Sequence, residues 1–334
     1  MTASTVLVLG ARGRFGSAAV RAFSQAGWTV IAQVRPGADA LPMLQGVRWV
    51  RAAPADTAAL AENAGAATVV VQALSPVYTH AAWRRDVPLL TEAAIAISRR
   101  LGATLLLPAS VYNFGSGMPE RLLEDTPQDA DTFKGQVRIA SEKAIESATR
   151  DGAMRAVVIR GGDFFGSGTG SWLDQVVARD LAKASMTWPG PLDVPTTWAF
   201  LPDMARSFVR VAEQRDSLAP FQTFHFAGHS VTGAEWAKVL GDVAAARGWL
   251  QPGQALRVKG FPWPLMRIVG LVVPMLAALC EVRYLWRTPY TLVNTRMRAL
   301  TGEEPHTEFT QAVRQAIDEL QPAPATRSAA ALAA

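Results

Sequence analysis

Gly10, Gly13 and Gly16 stand three residues apart directly after the apolar run Val6-Leu7-Val8-Leu9, and an amphipathic stretch follows them. Glycines so spaced between a strand and a helix leave backbone N–H groups bare at a helix N-terminus, where they can cradle a phosphate. Arg12 and Arg14 lie inside the same turn, and Phe15 follows. Further along, Lys134 and Arg138 are one helical turn apart and can face a common neighbour. A guanidinium so placed disfavours the charged ammonium and moves the lysine toward acid/base work. By spacing alone, such a pair reads more readily as a solvated helix face. Ser110 and Tyr112 follow an apolar strand and could meet a ligand, although Tyr112 reads at least as well as a packing residue. His80 reads as a loop histidine and Asp163, beside Gly161 and Gly162, as structural. His225 reads as strand and His229 as turn, with no carboxylate or cysteine to complete a metal set, so no metal is expected.

The elements that must position these residues alternate. Residues 4–9 and 28–34 read as strands, joined by a helix whose apolar stripe is Phe15, Ala18, Ala19, Ala22, Phe23 and Ala26. Strand, glycine turn, helix and strand fill the length of one βαβ unit. Residues 47–51, 67–73, 104–107 and 156–159 read as further strands, and 82–101 as a helix striped by Val87, Leu90, Ala94, Ile97 and Leu101. Helices between strands predict an α/β fold, a doubly wound parallel Rossmann sheet. Its ligand belongs at the carboxyl ends of the strands, where Gly10, Ser75 and Ser110 fall. The expected organisation is a dinucleotide-binding domain over 1–165, a smaller, mainly helical substrate lobe over 166–320, and a flexible tail over 321–334. Some lobe elements have room to return to the sheet. Thr232 and Glu235 form a capping box before a helix with Trp236, Val239, Leu240 and Val243.

The second strand ends in Gln33-Val34-Arg35, with no acid before Asp39. NAD-specific folds place a carboxylate there for the ribose hydroxyls, and an arginine suits the extra phosphate of NADP. Arg12, Arg14 and Arg35 therefore point to NADP(H) over NAD(H). The expected cofactor contacts are Gly10, Arg12, Gly13, Arg14, Phe15, Gly16 and Arg35, with Ala73, Leu74 and Ser75 after the fourth strand.

The 334 residues can bury one large or two modest cores, and a net charge of +5 without a Lys/Arg-dense run gives no reason to expect a nucleic acid. One cysteine, Cys280, excludes an internal disulfide and suits a cytoplasmic protein. The N-terminal apolar run is too short for a secretory segment. Ile268 to Cys280 is continuously apolar or glycine, apart from Pro274. That is too short to cross a bilayer, so no stable membrane insertion is expected. The reading is a buried helix of the lobe, with association at a membrane surface as the alternative.

Together, Gly10-x-x-Gly13-x-x-Gly16, Ser110-Val111-Tyr112, Ile159-Arg160-Gly161-Gly162-Asp163-Phe164-Phe165-Gly166 and Trp198-Ala199-Phe200-Leu201-Pro202-Asp203-Met204-Ala205 resemble the extended short-chain dehydrogenase/reductase superfamily, with its NAD-dependent epimerases and dehydratases. The resemblance covers the chain to about residue 240. It implies a nicotinamide cofactor and a Tyr-x-x-x-Lys pair, but aligned on Glu142 the tyrosine position holds Lys134 and the lysine position Arg138. The upstream Ser/Thr position falls on Pro108. The helix segment Lys134-x-x-Val137-Arg138-x-Ala140-x-Glu142 is instead similar to isoflavone reductase-like and NmrA-like atypical members. There a lysine is the general acid/base, which implies that role for Lys134. Three functions follow: an NADPH-dependent reductase of a small, partly apolar organic substrate, a sugar-nucleotide epimerase or dehydratase, or a non-catalytic redox sensor. Trp172, Trp188, Trp198 and Trp263 suggest an aromatic-lined lobe. A monomer or homodimer is expected.

Overall fold

A computed structural model describes residues 4–39 and 41–321. The predicted tail, beyond Gln321, lies outside the described residues. The chain runs β1 (Thr5–Leu9), α1 (Arg14–Gln25), β2 (Thr29–Val34), β3 (Val47–Arg51), α2 (Thr57–Ala64), β4 (Val69–Gln72), α3 (His80–Leu101), β5 (Thr104–Ala109), β6 (Arg121–Leu122), α4 (Phe133–Ala148) and β7 (Arg155–Arg160). It continues through β8 (Asp163–Phe165), β9 (Ser185–Trp188), β10 (Thr196–Phe200), α5 (Leu201–Glu213), β11 (Phe221–His225), β12 (His229–Val231) and α6 (Gly233–Ala246). Last come β13 (Arg257–Gly260), α7 (Trp263–Val269), α8 (Pro274–Glu281), β14 (Thr291–Leu292), α9 (Thr295–Thr301) and α10 (Phe309–Leu320).

Seven parallel strands form the main sheet in the order β11-β7-β5-β4-β1-β2-β3, the doubly wound Rossmann fold that the alternation predicts. Side chains alternate between faces with period two. Val6 and Val8 meet the α1 and α5 side, where Phe15, Phe23 and Phe208 pack. Leu7 and Leu9 meet the opposite side, with Leu60, Ile97 and Ile145. The chain reverses direction between β1 and β4, and this switch point opens a crevice at their carboxyl ends.

The lobe is mainly helical, as the sequence predicts, and it carries short strands as well. Strands β8, β10 and β12 form one small sheet and β9 with β13 another, while α5 and β11 pack on or join the main sheet. Its core is tryptophan-rich: Trp188, Trp198, Trp236 and Trp286 are buried against Phe165 and one another.

The apolar stretch 268–280 corrects the sequence reading. It is not one buried helix but the end of α7, a turn and most of α8. Pro274 has no N–H to continue α7 and instead starts α8. Leu271 and Val272 at the turn are 85% and 80% exposed.

Candidate functional site

The glycine turn is shaped by contacts that leave no room for side chains. A Cβ on Gly16 would lie 2.1 Å from the Gly10 carbonyl oxygen, and one on Gly10, at φ +75°, would lie 3.1 Å from the Leu74 nitrogen. The turn therefore closes on itself and against the segment after β4. Gln33 holds it from below: the Gly10 N–H donates to Gln33 Oε1 at 2.8 Å, and Gln33 Nε2 donates to the Ala52 carbonyl at 2.7 Å. This explains the missing carboxylate at the end of β2, because the buried side chain there supports the turn rather than a ribose. Val34 is buried, and Arg35 and Arg12 are exposed.

A cavity of about 610 Å³ begins at this turn. Gly13, Arg14 and Phe15 at the α1 N-terminus form one wall, and Ala73, Leu74 and Ser75 beyond β4 form the next. Ser110, Tyr112 and Arg138 complete the sheet side. An adjoining cleft of about 510 Å³ is lined by Arg12, Arg14 and Arg21. Arg14 donates to the Phe164 carbonyl at 3.0 Å, so it spans from the glycine turn to β8. Gly10 and Gly16 shape the turn from behind, and Arg35 lines neither space.

Lys134 does not line the cavity. Its ammonium is buried, bonds Glu281 Oε2 at 2.8 Å and the Ala278 carbonyl, and lies 4.5 Å from the centre of the Tyr78 ring. Burial pushes the lysine pKa down and Glu281 opposes this. The direction matches the sequence expectation, but the cause is desolvation, because the Arg138 guanidinium stacks on Trp83 at 4.8 Å. Burial also works against the Glu281 carboxylate, yet the Lys134 bond and charge, with His80 at 2.8 Å, outweigh it and hold its pKa below the ordinary value. His80 thus supports Glu281 from the first turn of α3.

Glu142, four residues after Arg138, pairs with Arg160 at 2.5 Å and accepts from Asn113 at 2.7 Å, all buried. This network fixes α4 against the end of β7 and so aims Arg138 into the cavity. Arg138 Nε and Ser110 Oγ are both buried without a hydrogen-bond partner among the described residues. Unmet donors and acceptors at a cavity wall fit a ligand rich in hydroxyls or carbonyls. Tyr112 donates to or accepts from Tyr78, hydroxyl to hydroxyl, at 3.2 Å. Burial, then the Asp163 charge, raise the Tyr112 pKa to about 12, while Tyr78 and Arg138 pull it back.

Asp163 corrects a second reading. It lines the cavity rather than serving only the turn, and burial raises its carboxyl to about 7 against the pull of Arg14. The sequence reading also passed over Trp83 and Glu281. Glu281 had a signal: it is the sole acid between Asp242 and Glu303, and it closes an apolar run. The histidines stand apart. His225 in β11 is buried against the Leu122 carbonyl at 3.1 Å, and His229 begins β12 rather than lying in a turn. Burial first, then Arg160 beside His225 and His306 beside His229, lower them to about 3 and 4, so both are neutral near pH 7. Of the tryptophans, Trp172 reaches the cavity, whereas Trp188, Trp198 and Trp263 belong to the lobe core.

A glycine turn at the β1/β4 switch point, a helix N-terminus and unmet polar atoms across a cavity define a dinucleotide-binding α/β protein. The model of the NAD dependent epimerase/dehydratase family matches residues 6–226, and the chain belongs to that family. No curated protein sequence matches it. Among solved structures it is similar to the Bordetella bronchiseptica enzyme WbmH in complex with NAD+ (16% identity, TM-score 0.69, covering 95% of this chain and 98% of that one). It is similar also to UDP-glucose 4-epimerase from Thermotoga maritima with UDP-glucose (14%, TM-score 0.70, 94% and 98%). UDP-glucose 4-epimerase from Brucella ovis in complex with NAD has the same fold (15%, TM-score 0.70, 94% and 97%).

Proposed function

We propose that this protein is a nicotinamide-dinucleotide oxidoreductase that prefers NADP(H) and reduces an uncharged, partly apolar carbonyl-type substrate. The observation that carries the substrate class is the lobe wall of the cavity. It is built from Thr169, Ser171, Trp172, Val176, Met275 and Leu279, none of them charged, and the two cations that line the cavity, Arg14 and Arg138, come from α1 and α4. A nucleoside diphosphate sugar brings two negative charges that such a wall does not neutralise. Preference for NADP(H) is supported by exposed Arg12 and Arg35 and by Gln33, committed to the glycine turn, in place of an acid.

The dinucleotide supplies hydride chemistry when bound. The backbone of Gly13, Arg14 and Phe15 holds its phosphates at the α1 N-terminus. Arg138, with no carboxylate within salt-bridge reach among the described residues, holds a ribose or substrate oxygen from the α4 side. Tyr112 moves the proton at its hydroxyl, which Tyr78 orients. The Lys134 charge over the Tyr78 ring stabilises that orientation, so Lys134 is a positioning residue, standing where relatives of the resemblance carry the acid/base itself.

Titration with NADPH and NADH, followed by tryptophan fluorescence, tests the cofactor reading, with Arg35→Ala expected to narrow the preference. NADPH oxidation with alkyl and aryl ketones and aldehydes tests the rest. Tyr112→Phe should then lower kcat by about 10²-fold or more while leaving cofactor binding near wild type. A melting shift with UDP-glucose, together with no NADPH oxidation by any carbonyl, would refute the reading in favour of sugar-nucleotide chemistry.

A further inference from the structure

The α7–α8 hairpin presents aliphatic side chains to solvent where a folded chain would ordinarily bury them. Leu265, Ile268, Leu271 and Val272 are 53%, 67%, 85% and 80% exposed, and Val273 and Met275 are exposed too. The two helices pack closely because Gly270 has no side chain: a Cβ there would lie 3.0 Å from the Ala277 nitrogen. The tip is an apolar wedge with a fixed shape.

Two properties specify what covers it. First, the backbone N–H groups from Gly270 to Val273 are internally satisfied. The N–H groups of Gly270, Leu271, Val272 and Val273 donate to Met266, Ile268 and Val269 carbonyls at 2.8–3.1 Å, and Pro274 has no N–H to satisfy. These four donors can leave water without being orphaned, which hydrocarbon requires of buried N–H groups. Second, the flanking chain is cationic. Between residues 254 and 290 stand Arg257, Lys259, Arg267, Arg283 and Arg287 against one acid, Glu281, which already pairs with Lys134. Arg257, Lys259, Arg267 and Arg287 are exposed. From Trp263 to Cys280 the one charged residue is the exposed Arg267, and an apolar tip so flanked matches the interface of a bilayer that carries anionic headgroups. The tip side chains from Leu271 to Val273 offer no hydrogen-bonding group of the kind that selects a protein partner. No helix among the described residues is long and apolar enough to cross a membrane, so the contact would be made from one side.

We propose that this hairpin docks the protein onto anionic membrane surfaces by inserting Leu271, Val272 and their neighbours below the headgroups. The inference is independent of the reaction proposed above. Co-sedimentation of the full chain with phosphatidylcholine vesicles, with and without phosphatidylglycerol, tests it. The wild type is expected to pellet with the anionic vesicles and at least tenfold less with neutral ones. The double variant Leu271→Asp/Val272→Asp should lose binding at least tenfold with an unchanged melting temperature, because both side chains face solvent. Arg267→Glu should weaken binding to anionic vesicles alone. Failure of the wild type to pellet with either vesicle would overturn the proposal, as would equal binding by the double variant. Loss of a dimer in the double variant, without vesicle binding by the wild type, would assign the tip to a second copy of the chain instead.

Discussion

Replacing Glu281 by alanine removes the only carboxylate among the described residues that faces the Lys134 ammonium, leaving the Ala278 carbonyl and the Tyr78 ring. The lysine side chain is fully buried and Glu281 only 13% exposed, so the ammonium loses its counter-charge in a largely desolvated place. Breaking a buried pair by deleting one member costs about 3–5 kcal/mol. With an unfolding entropy of about 2.1 cal/mol/K per residue, 334 residues give about 0.7 kcal/mol/K. The expected fall in Tm is therefore roughly 4–7 °C at neutral pH, read by calorimetry. Adding Lys134→Met removes the stranded charge, and the double variant should regain at least half of the loss. Since the Glu281 pKa is held below its ordinary value, its contribution is present above that ordinary value. It disappears as pH falls through the lowered one, so wild type and Glu281→Gln should converge in acid. A fall of less than about 1 °C, or no rescue by Lys134→Met, would mean that desolvation already cancels the pair and that Tyr78 is held by packing alone.

Gly16→Ala places a methyl against the Gly10 carbonyl oxygen and should weaken NADPH binding at least tenfold by isothermal titration. Gly27→Ala, strained at φ +81° but with nothing within 4 Å of its added carbon, should lower stability while leaving that affinity unchanged. Asp163 is raised to about 7 by burial, so the folded state resists its ionisation and loses stability as pH climbs from the ordinary carboxylate range through 7. Asp163→Asn should accordingly melt above wild type at pH 8 and level with it at pH 4, and the reverse order would refute the assignment. Arg160→Met leaves Glu142 buried without its cation and should lower Tm by several degrees in thermal melts. It should also weaken binding through Arg138, and retention of both properties would show that α4 is positioned without this network.

The amino-acid sequence by itself determined the sheet and its cofactor edge. Val6 to Leu9 is a continuous apolar run, Gly10, Gly13 and Gly16 are spaced by three, and the stripe from Phe15 to Phe23 has period 3.6, all of them local patterns. They act within one βαβ unit and need no distant partner to be read. The absence of an acid after β2 was equally legible, though not its reason, because Gln33 is committed through bonds to Gly10 and Ala52 that cross from strand to strand. Tertiary structure alone decided the use of each charge. Lys134 and Arg138 share one helix face in the sequence. In the fold, Glu281, 147 residues away, captures the lysine, while Arg138 stays uncommitted in the cavity. Asp163 reads as structural in the sequence, whereas burial beside the cavity raises its carboxyl to about 7. The 268–280 stretch has the composition of a core helix, but whether an apolar surface is covered depends on what packs against it. Periodicity is a property of the chain, whereas burial and the partner of a charge belong to contacts between segments far apart in it.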